Sequence, residues 1–508
     1  MSAKPSGRTA VAVGAVLVAL ATACARGDVP QTDLSDSPQP AQTPQAIPTP
    51  TQTPDPAPTL DIPEVSKLVN DAIAANRLPG AVVVVGHDGK IVFHQAYGSR
   101  KLAGEPGLDG SPTPAEPMTE DTIFDMASLT KPLATATAVM QLYEQGEVQV
   151  DAPVQQYLPD FNTANDAQRA DVTVRMLLTH TSGEPGDVDL RDPWGLDGAD
   201  KPEGIHRALT TPLQSRPGEV FRYSDINFIL LGALIEKVTG ETEDVYVRQN
   251  VFAPLGMQET RYLPPAKACG PHQLRGAAIG WAPANGSVAC PEGTWSIDLL
   301  PHIAPTARDE EGRAEPDKNP DLDYLLRGTV NDTTARRMGG VAGHAGLFST
   351  AHDVSIYAQA LLDQLAGRPS KFPLAQATSE LMTSPQQPGH SARQLAAAND
   401  AFREAVANRP NTADPLLAPS YPAINGQNLR GLGWDIDTYF SRPRGIIFPI
   451  GSFGHTGFTG TMLWIDPGSN TYVILLSNSI HTRGSPPVGN LAGEVATTAA
   501  QALSLYGS

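Results

Sequence analysis

Ser128 and Lys131 stand three residues apart in Phe124-Asp125-Met126-Ala127-Ser128-Leu129-Thr130-Lys131-Pro132-Leu133. Side chains at that spacing share one face of a helix, so a chain that turns from loop into helix at Ser128 sets a hydroxyl beside an amine. A serine hydroxyl alone is a poor nucleophile near neutral pH. A lysine in a partly dry pocket gives up its proton more readily than one in water, and can then take the proton of the serine. Leu129, Val139, Met140 and Leu142 follow at positions that can face a core and hold the helix still. Taken alone, Ser-x-x-Lys fits a capping serine and a solvent-facing lysine equally well. Two further stretches shift the balance toward chemistry.

The first is Phe221-Arg222-Tyr223-Ser224-Asp225-Ile226-Asn227. Tyr223 precedes an apolar helix, where its phenol can project into a cleft. A positive neighbour such as Lys131 favours the phenolate, which would let Tyr223 relay a proton to or from Ser128 or a leaving group. Asp225 can fix the lysine by a charge-assisted hydrogen bond, or cap the helix. The second is Gly454-His455-Thr456-Gly457-Phe458-Thr459-Gly460. On an edge strand beside the cleft it would leave backbone N–H groups free to face a substrate, with Thr456 among the substrate-facing residues and Gly457 allowing close approach. Acyl transfer needs donors where a carbonyl oxygen turns negative; the N–H groups of Ser128 and Phe458 are assigned that place. His455 can bind a substrate carboxylate or tune the proton relay. His180 and His344 read as a structural hydrogen-bonding residue and a cleft-lining one, and Trp434 as packing.

These stretches need a scaffold that joins both ends of the chain. Val65, Leu68, Val69, Ala72 and Ile73 recur at helical spacing, so residues 62–76 form an amphipathic helix. Residues 80–86 and 90–97 flank Asp88-Gly89 as a β-hairpin. Residues 227–238 and 349–365 are helical; 432–438, 461–465 and 472–477 are strands; 488–504 is a closing helix with Leu491, Val495 and Ala499 to one side. The natural closure is an α+β fold: one antiparallel sheet from both chain ends, flanked by terminal helices, with a mostly helical region inserted. The polar, Pro/Gly-rich stretches near 262–330 and 383–430 read as insertions.

At 508 residues with formal net charge −18, the chain is large enough for an extensive core and lacks the basic surface of a nucleic-acid binder. Residues 1–23 read as a signal peptide: Lys4 and Arg8, then an apolar run from Val11 to Ala23 that is short for a membrane span. Residues 24–61, dominated by Pro, Thr and Gln, form an extended linker, and the folded domain occupies 62–508. Leu20-Ala21-Thr22-Ala23-Cys24 resembles the lipobox of bacterial lipoproteins, with Ala21 where a larger aliphatic residue is usual. That resemblance implies a lipidated Cys24 and an exported protein on the outer face of the bacterial cytoplasmic membrane. In an oxidising compartment the remaining two cysteines, Cys269 and Cys290, pair as a disulfide. No zinc-type Cys/His spacing is present, and neither metal nor cofactor is expected.

Ser-x-x-Lys at 128–131, Tyr-x-Asp at 223–225 and His-Thr-Gly at 455–457, in that order, resemble the serine β-lactamase and penicillin-binding protein superfamily. The tyrosine of the second motif is similar to class C β-lactamases, D-alanyl-D-alanine carboxypeptidases and related esterases. Thr173-Val174-Arg175-Met176-Leu177-Leu178-Thr179-His180-Thr181-Ser182-Gly183 agrees, as does Gly339-Gly340-Val341-Ala342-Gly343-His344-Ala345-Gly346-Leu347-Phe348-Ser349-Thr350. The resemblance runs from about residue 63 to the C-terminus outside the two insertions. It implies a β-lactamase/transpeptidase-like fold and a Ser128 acyl-enzyme, with Lys131 and Tyr223 moving protons. Asp225 departs from the class C asparagine, and His455 from the lysine of most β-lactamases. His-Thr-Gly is similar to some D,D-peptidases of the family. A class A scheme would use Ser224-Asp225, but no glutamate motif follows for its deacylating water. The expected substrates are peptidoglycan-like peptides, with esters and β-lactams as alternatives. A non-catalytic wall-binding domain and a penicillin sensor are the readings from another class.

Overall fold

The computed structural model describes residues 60–508, apart from 281–288, 312, 314, 315, 391 and 486. The signal peptide, Cys24 and nearly all of the linker lie outside the described residues. Eight strands make the main sheet: β1 (Gly80–His87), β2 (Lys90–Lys101), β3 (Glu116–Pro117), β4 (Leu429–Arg430), β5 (Asp435–Asp437), β6 (Phe453–Gly457), β7 (Thr461–Asp466) and β8 (Thr471–Ser477). Their spatial order is β4-β5-β6-β7-β8-β1-β2-β3, antiparallel throughout. The first strand therefore pairs with the last, from Ala81 opposite Ser477 to His87 opposite Thr471. The β1–β2 turn has positive φ at both Asp88 and Gly89, the geometry that matches the right-handed twist of a hairpin.

Both faces of the sheet are covered, and the alternation of side chains along β1 shows it. Val83 and Val85 join Val65, Val69, Leu491, Val495 and Ala499 in the layer under the N-terminal helix Pro63–Ala74 and the C-terminal helix Gly489–Ala502. Val82 and Val84 face the larger core shared with the inserted region. Its central helix, Asp225–Thr239, is apolar all round and buried from Ile226 to Ile235, and ends at Gly240 in the left-handed conformation. A helix with no polar face belongs inside. Trp434 is buried against Phe453 and Tyr357, as packing.

The stretch after Tyr262 carries two small ladders, Ala268–Cys269 with Trp295–Ser296 and Leu274–Arg275 with Ala278–Ile279, and a disulfide between Cys269 and Cys290. Residues 392–408 form a helix that buries Ala398 and Phe402. Among the described residues no helix is long and apolar enough to cross a membrane. One expectation fails in part. The strand that carries His455 is not at the sheet edge, because β5 and β4 lie outside it. The segment expected as one strand over 432–438 splits: only 435–437 is strand, and Gly433 sits at φ +88 between it and β4. Yet β5 meets β6 at a single pair, Asp435 opposite Gly454, so the outer side of His455–Gly457 is left unpaired and faces a cleft.

Candidate active site

The turn that presents Ser128 is held in a costly conformation. Ala127 has φ +45, a left-handed backbone that burdens a residue with a Cβ by roughly 1–3 kcal/mol and persists only where its surroundings enforce it. Several contacts enforce it. Asp125 accepts the Ala127 N–H at 2.9 Å and the Asn331 N–H at 2.7 Å; burial pushes this carboxyl up to about 6, against those two N–H groups. The Thr459 and Thr461 hydroxyls donate to the carbonyls of Asp125 and Met126 at 2.7 and 3.1 Å. The Met126 N–H donates to the Leu347 carbonyl at 2.8 Å. Gly457 completes the clamp: a Cβ there would lie 2.5 Å from the Met126 oxygen. Residues 127–129 form one tight turn, 131–136 a wider π-helical turn, and only then does the regular helix Thr137–Glu144 begin.

Lys131 is buried, with its three ammonium donors spent on Ser128 Oγ at 2.9 Å, Asp225 Oδ1 at 2.6 Å and the His344 carbonyl at 3.0 Å. Asp225 does not cap its helix with this carboxylate; it reaches across to the lysine. That contact corrects the expected proton state. Burial is the largest single influence and favours the neutral amine, but the Asp225 charge, then Tyr223, outweigh it and hold Lys131 above its ordinary value. The expectation of a partly ionised Tyr223 fails as well. Burial raises its phenol, and Asp225 adds to that, against the opposing pull of Lys131. The resting pair is an ammonium and a neutral phenol. The Tyr223 hydroxyl is buried and makes no hydrogen bond of good geometry, while the Lys131 ammonium lies 5.0 Å from the centre of its ring.

His180 holds that ring. It stacks on Tyr223 with centroids 4.4 Å apart, and its Nδ1 accepts the Ser224 N–H at 3.1 Å. Burial, with Arg430 and Lys131 nearby, keeps the imidazole neutral, far below its usual range. His455 sits at the other side of the cleft, 6.0 Å from Tyr223 between ring centres. Its Nδ1 lies 2.8 Å from the Thr456 carbonyl and must donate, so Nε2 is an unpartnered acceptor. Burial, Arg430 and Lys131 hold it neutral. Neutral His455 supplies no charge for a carboxylate, which leaves tuning of the proton relay as the role that suits it. Neither the Ser128 nor the Phe458 N–H is taken up by an acceptor among the described residues. Both residues, with Thr456, Gly457 and Asp225, line one cleft of about 870 Å³.

The Beta-lactamase family profile matches residues 65–496. The chain belongs to the beta-lactamase family. Two relatives are similar along most of their length. The N-acetylmuramyl-L-alanine amidase of Bacillus subtilis is 30% identical over 440 residues, 85% of this chain and 84% of its own. A protein of Escherichia coli strain K12, named "Putative D-alanyl-D-alanine carboxypeptidase", is 27% identical over 423 residues, 81% of each chain. Among solved structures, the octameric penicillin-binding protein homologue from Pyrococcus abyssi aligns with TM-score 0.55 at 20% identity, covering 88% of this chain and 78% of that one. The fold is β-lactamase/transpeptidase-like, and the chain is a hydrolase of that family.

In this beta-lactamase-family enzyme the cleft holds a cation that sequence reasoning missed. Arg430 is buried at the cleft wall, 5.9 Å from the Tyr223 ring. Its links to protein are slack: 3.4 Å to Asp435 Oδ1 and 3.5 Å to the Gly433 carbonyl, with Nε unpartnered. Asp435 is meanwhile well served by Thr438 and Ser441 at 2.7 and 2.5 Å. His344, expected to line the cleft, is buried behind it. Its Nε2 bonds Asp332 at 2.8 Å, and that carboxylate, opposing burial, raises the imidazole above its ordinary value. Asp332 lines the cleft in its place. Gly343 makes this backing possible, since a Cβ there would lie 2.1 Å from the Phe228 carbonyl. Another part of the rim is aromatic, with the Tyr439 and Phe440 ring centres 4.0 Å apart and those of Phe440 and Tyr223 5.0 Å apart, both pairs tilted.

Proposed function

We propose that this enzyme forms an acyl-enzyme at Ser128 and hydrolyses amide bonds next to a free carboxylate in cell-wall peptides, as a D,D-carboxypeptidase does. The observation that carries the reading is the contact of Lys131 with Ser128 at 2.9 Å and with Asp225 at 2.6 Å, beside the buried phenol of Tyr223, whose ring centre is 5.0 Å from the ammonium. Lys131 and Tyr223 hold two protons at rest. Once the pair has shed one, it can take the proton of Ser128 as the oxygen attacks the carbonyl. The Ser128 and Phe458 N–H groups receive the developing oxyanion. The pair then passes its proton to the departing amine, and water repeats the sequence in reverse to free Ser128. Arg430 is the anchor for the substrate carboxylate, because its donors are loosely engaged and arginine matches a carboxylate with paired N–H groups. The names of the amidase and carboxypeptidase relatives support a wall-peptide substrate. Export and a lipid anchor at Cys24 complete the proposal and rest on residues 1–24 alone.

The test is intact-mass spectrometry of wild type and Ser128→Ala, mixed with a penicillin and separately with an activated short-chain ester. A Ser128-dependent adduct or product release is expected. Full labelling of Ser128→Ala would remove the serine from its role. Turnover of the ester with no reaction toward penicillin or a D-alanyl-D-alanine peptide would favour an esterase.

A further inference from the structure

A second cavity, of about 710 Å³, adjoins the cleft and shares Asn331, Phe458, Ile480 and Ser485 with it. Phe458 stands at the junction with 78% of its surface exposed, a large apolar ring left in water. An exposed aromatic beside a reaction centre signals a contact surface. The far wall is charged, and its charges are not evenly satisfied. Asp309 pairs with Arg336 at 2.7 Å, Glu310 with Arg483 at 2.6 Å, Asp192 with Arg207 at 2.7 Å, and Glu311 with Arg337. Every acid on the wall is thus engaged. Arg308 is less well served: among the described residues this half-buried guanidinium has no ion pair within 4 Å, it donates to the Asp323 carbonyl at 2.9 Å, and the acid whose charge reaches it, Glu105, is held by His481 at 2.9 Å. A half-buried cation on a cavity wall, with no carboxylate of its own at ion-pair distance among the described residues, can receive an anion.

We infer that this second cavity is a subsite for the acyl side of the substrate, and that Arg308 selects acyl chains bearing a side-chain carboxylate. The inference rests on the acyl-enzyme reading. With the terminal carboxylate at Arg430, the acyl chain leaves Ser128 the other way, passes the Phe458 ring and enters the charged cavity.

The test is binding, and needs no turnover. Full-length Ser128→Ala is titrated calorimetrically with two D-alanyl-D-alanine peptides that differ only in an acyl-side carboxylate or its carboxamide. The carboxylate peptide should bind about tenfold tighter, as a charged hydrogen bond allows. Adding Arg308→Gln should erase the difference, and Arg308→Lys should retain part of it. The second variant keeps the test informative if glutamine disturbs the wall. Equal binding of the two peptides, a difference that survives Arg308→Gln, or no binding by either overturns the inference. Penicillin labelling of Ser128 in the wild type separates each of these from failure of the acyl-enzyme reading.

Discussion

Asp225→Asn is the perturbation that most directly probes the proposed activation of Ser128. The carboxylate lies 2.6 Å from the Lys131 ammonium. Asparagine keeps the shape and one hydrogen bond but removes the charge. At an effective dielectric of about 20 the pair's attraction has an upper bound of about 6 kcal/mol; a single opposite charge at this range moves a pKa by roughly one to three pH units. With Asp225 gone, burial dominates and Lys131 falls toward its neutral form. The proton that must leave before Ser128 can attack then leaves at lower pH. The assay is the acylation rate with an activated ester from pH 6 to 11, because its leaving group needs no proton and the rate reports activation of the serine alone. The wild type should gain rate with rising pH along an alkaline limb. The variant's limb should sit roughly one to three pH units lower.

Stability supplies an independent check of sign. In the variant the folded-state pKa of Lys131 drops, and where it lies below the unfolded value of about 10.4 the unfolded chain binds the extra proton as pH rises between the two. Stability of Asp225→Asn relative to wild type should therefore improve once the pH rises past the variant's lowered folded-state value, and stay level below it. An unmoved or upward-shifted limb in a variant that unfolds cooperatively would refute the claim that Asp225 controls the lysine's proton.

Arg430→Gln should lower kcat/KM on a peptide with a free terminal carboxylate by about tenfold or more beyond any loss on a neutral ester, since a charged hydrogen bond in a dry site is lost; steady-state kinetics on the two substrates decides it. Gly343→Ala forces apart contacts of 2.1 Å to Phe228 and 2.9 Å to Gly232, so the His344 carbonyl leaves Lys131, and a misplacement near 1 Å should cost about 100-fold in kcat with circular dichroism little changed. Cys269→Ser opens a loop of sequence separation 21, which by chain entropy removes about 3 kcal/mol of stability; the melting temperature should fall while activity well below it is kept.

Ser128, Lys131, Tyr223 and Asp225 were legible because each sits in a short local pattern, and the helix that begins at Asp225 was visible from its unbroken apolar run. The protonation states were not legible. They depend on a contact between residues 94 positions apart, and spacing carries neither its existence nor its sign. Arg430 was hidden for a different reason. It closes a polar stretch read as an insertion, and nothing in its neighbours marks it as a buried cation on a two-residue strand. The clamp on the serine turn was half visible: Gly457 stood out as a place of close approach, but Ala127 has no local signal for a left-handed backbone, which three separate segments help impose on it.

The cation at Arg430 also gives His455 a physical reason. Lys131 and Arg430 are both buried and both act to keep His455 neutral. A lysine at 455 would place a third cation among them. The acids at hand are Asp225, engaged by Lys131, and Asp435, which already accepts from Thr438, Ser441 and Arg430. A buried charge without its own partner costs several kcal/mol, so lysine there would shed its proton or disrupt the cluster. A histidine avoids the penalty. It stays uncharged, fixes its tautomer on the Thr456 carbonyl and turns a free Nε2 acceptor toward the proton pair. In the proposed reaction the work that a single lysine could do is divided: Arg430 supplies the charge for the carboxylate, and His455 supplies a neutral polar edge beside Tyr223.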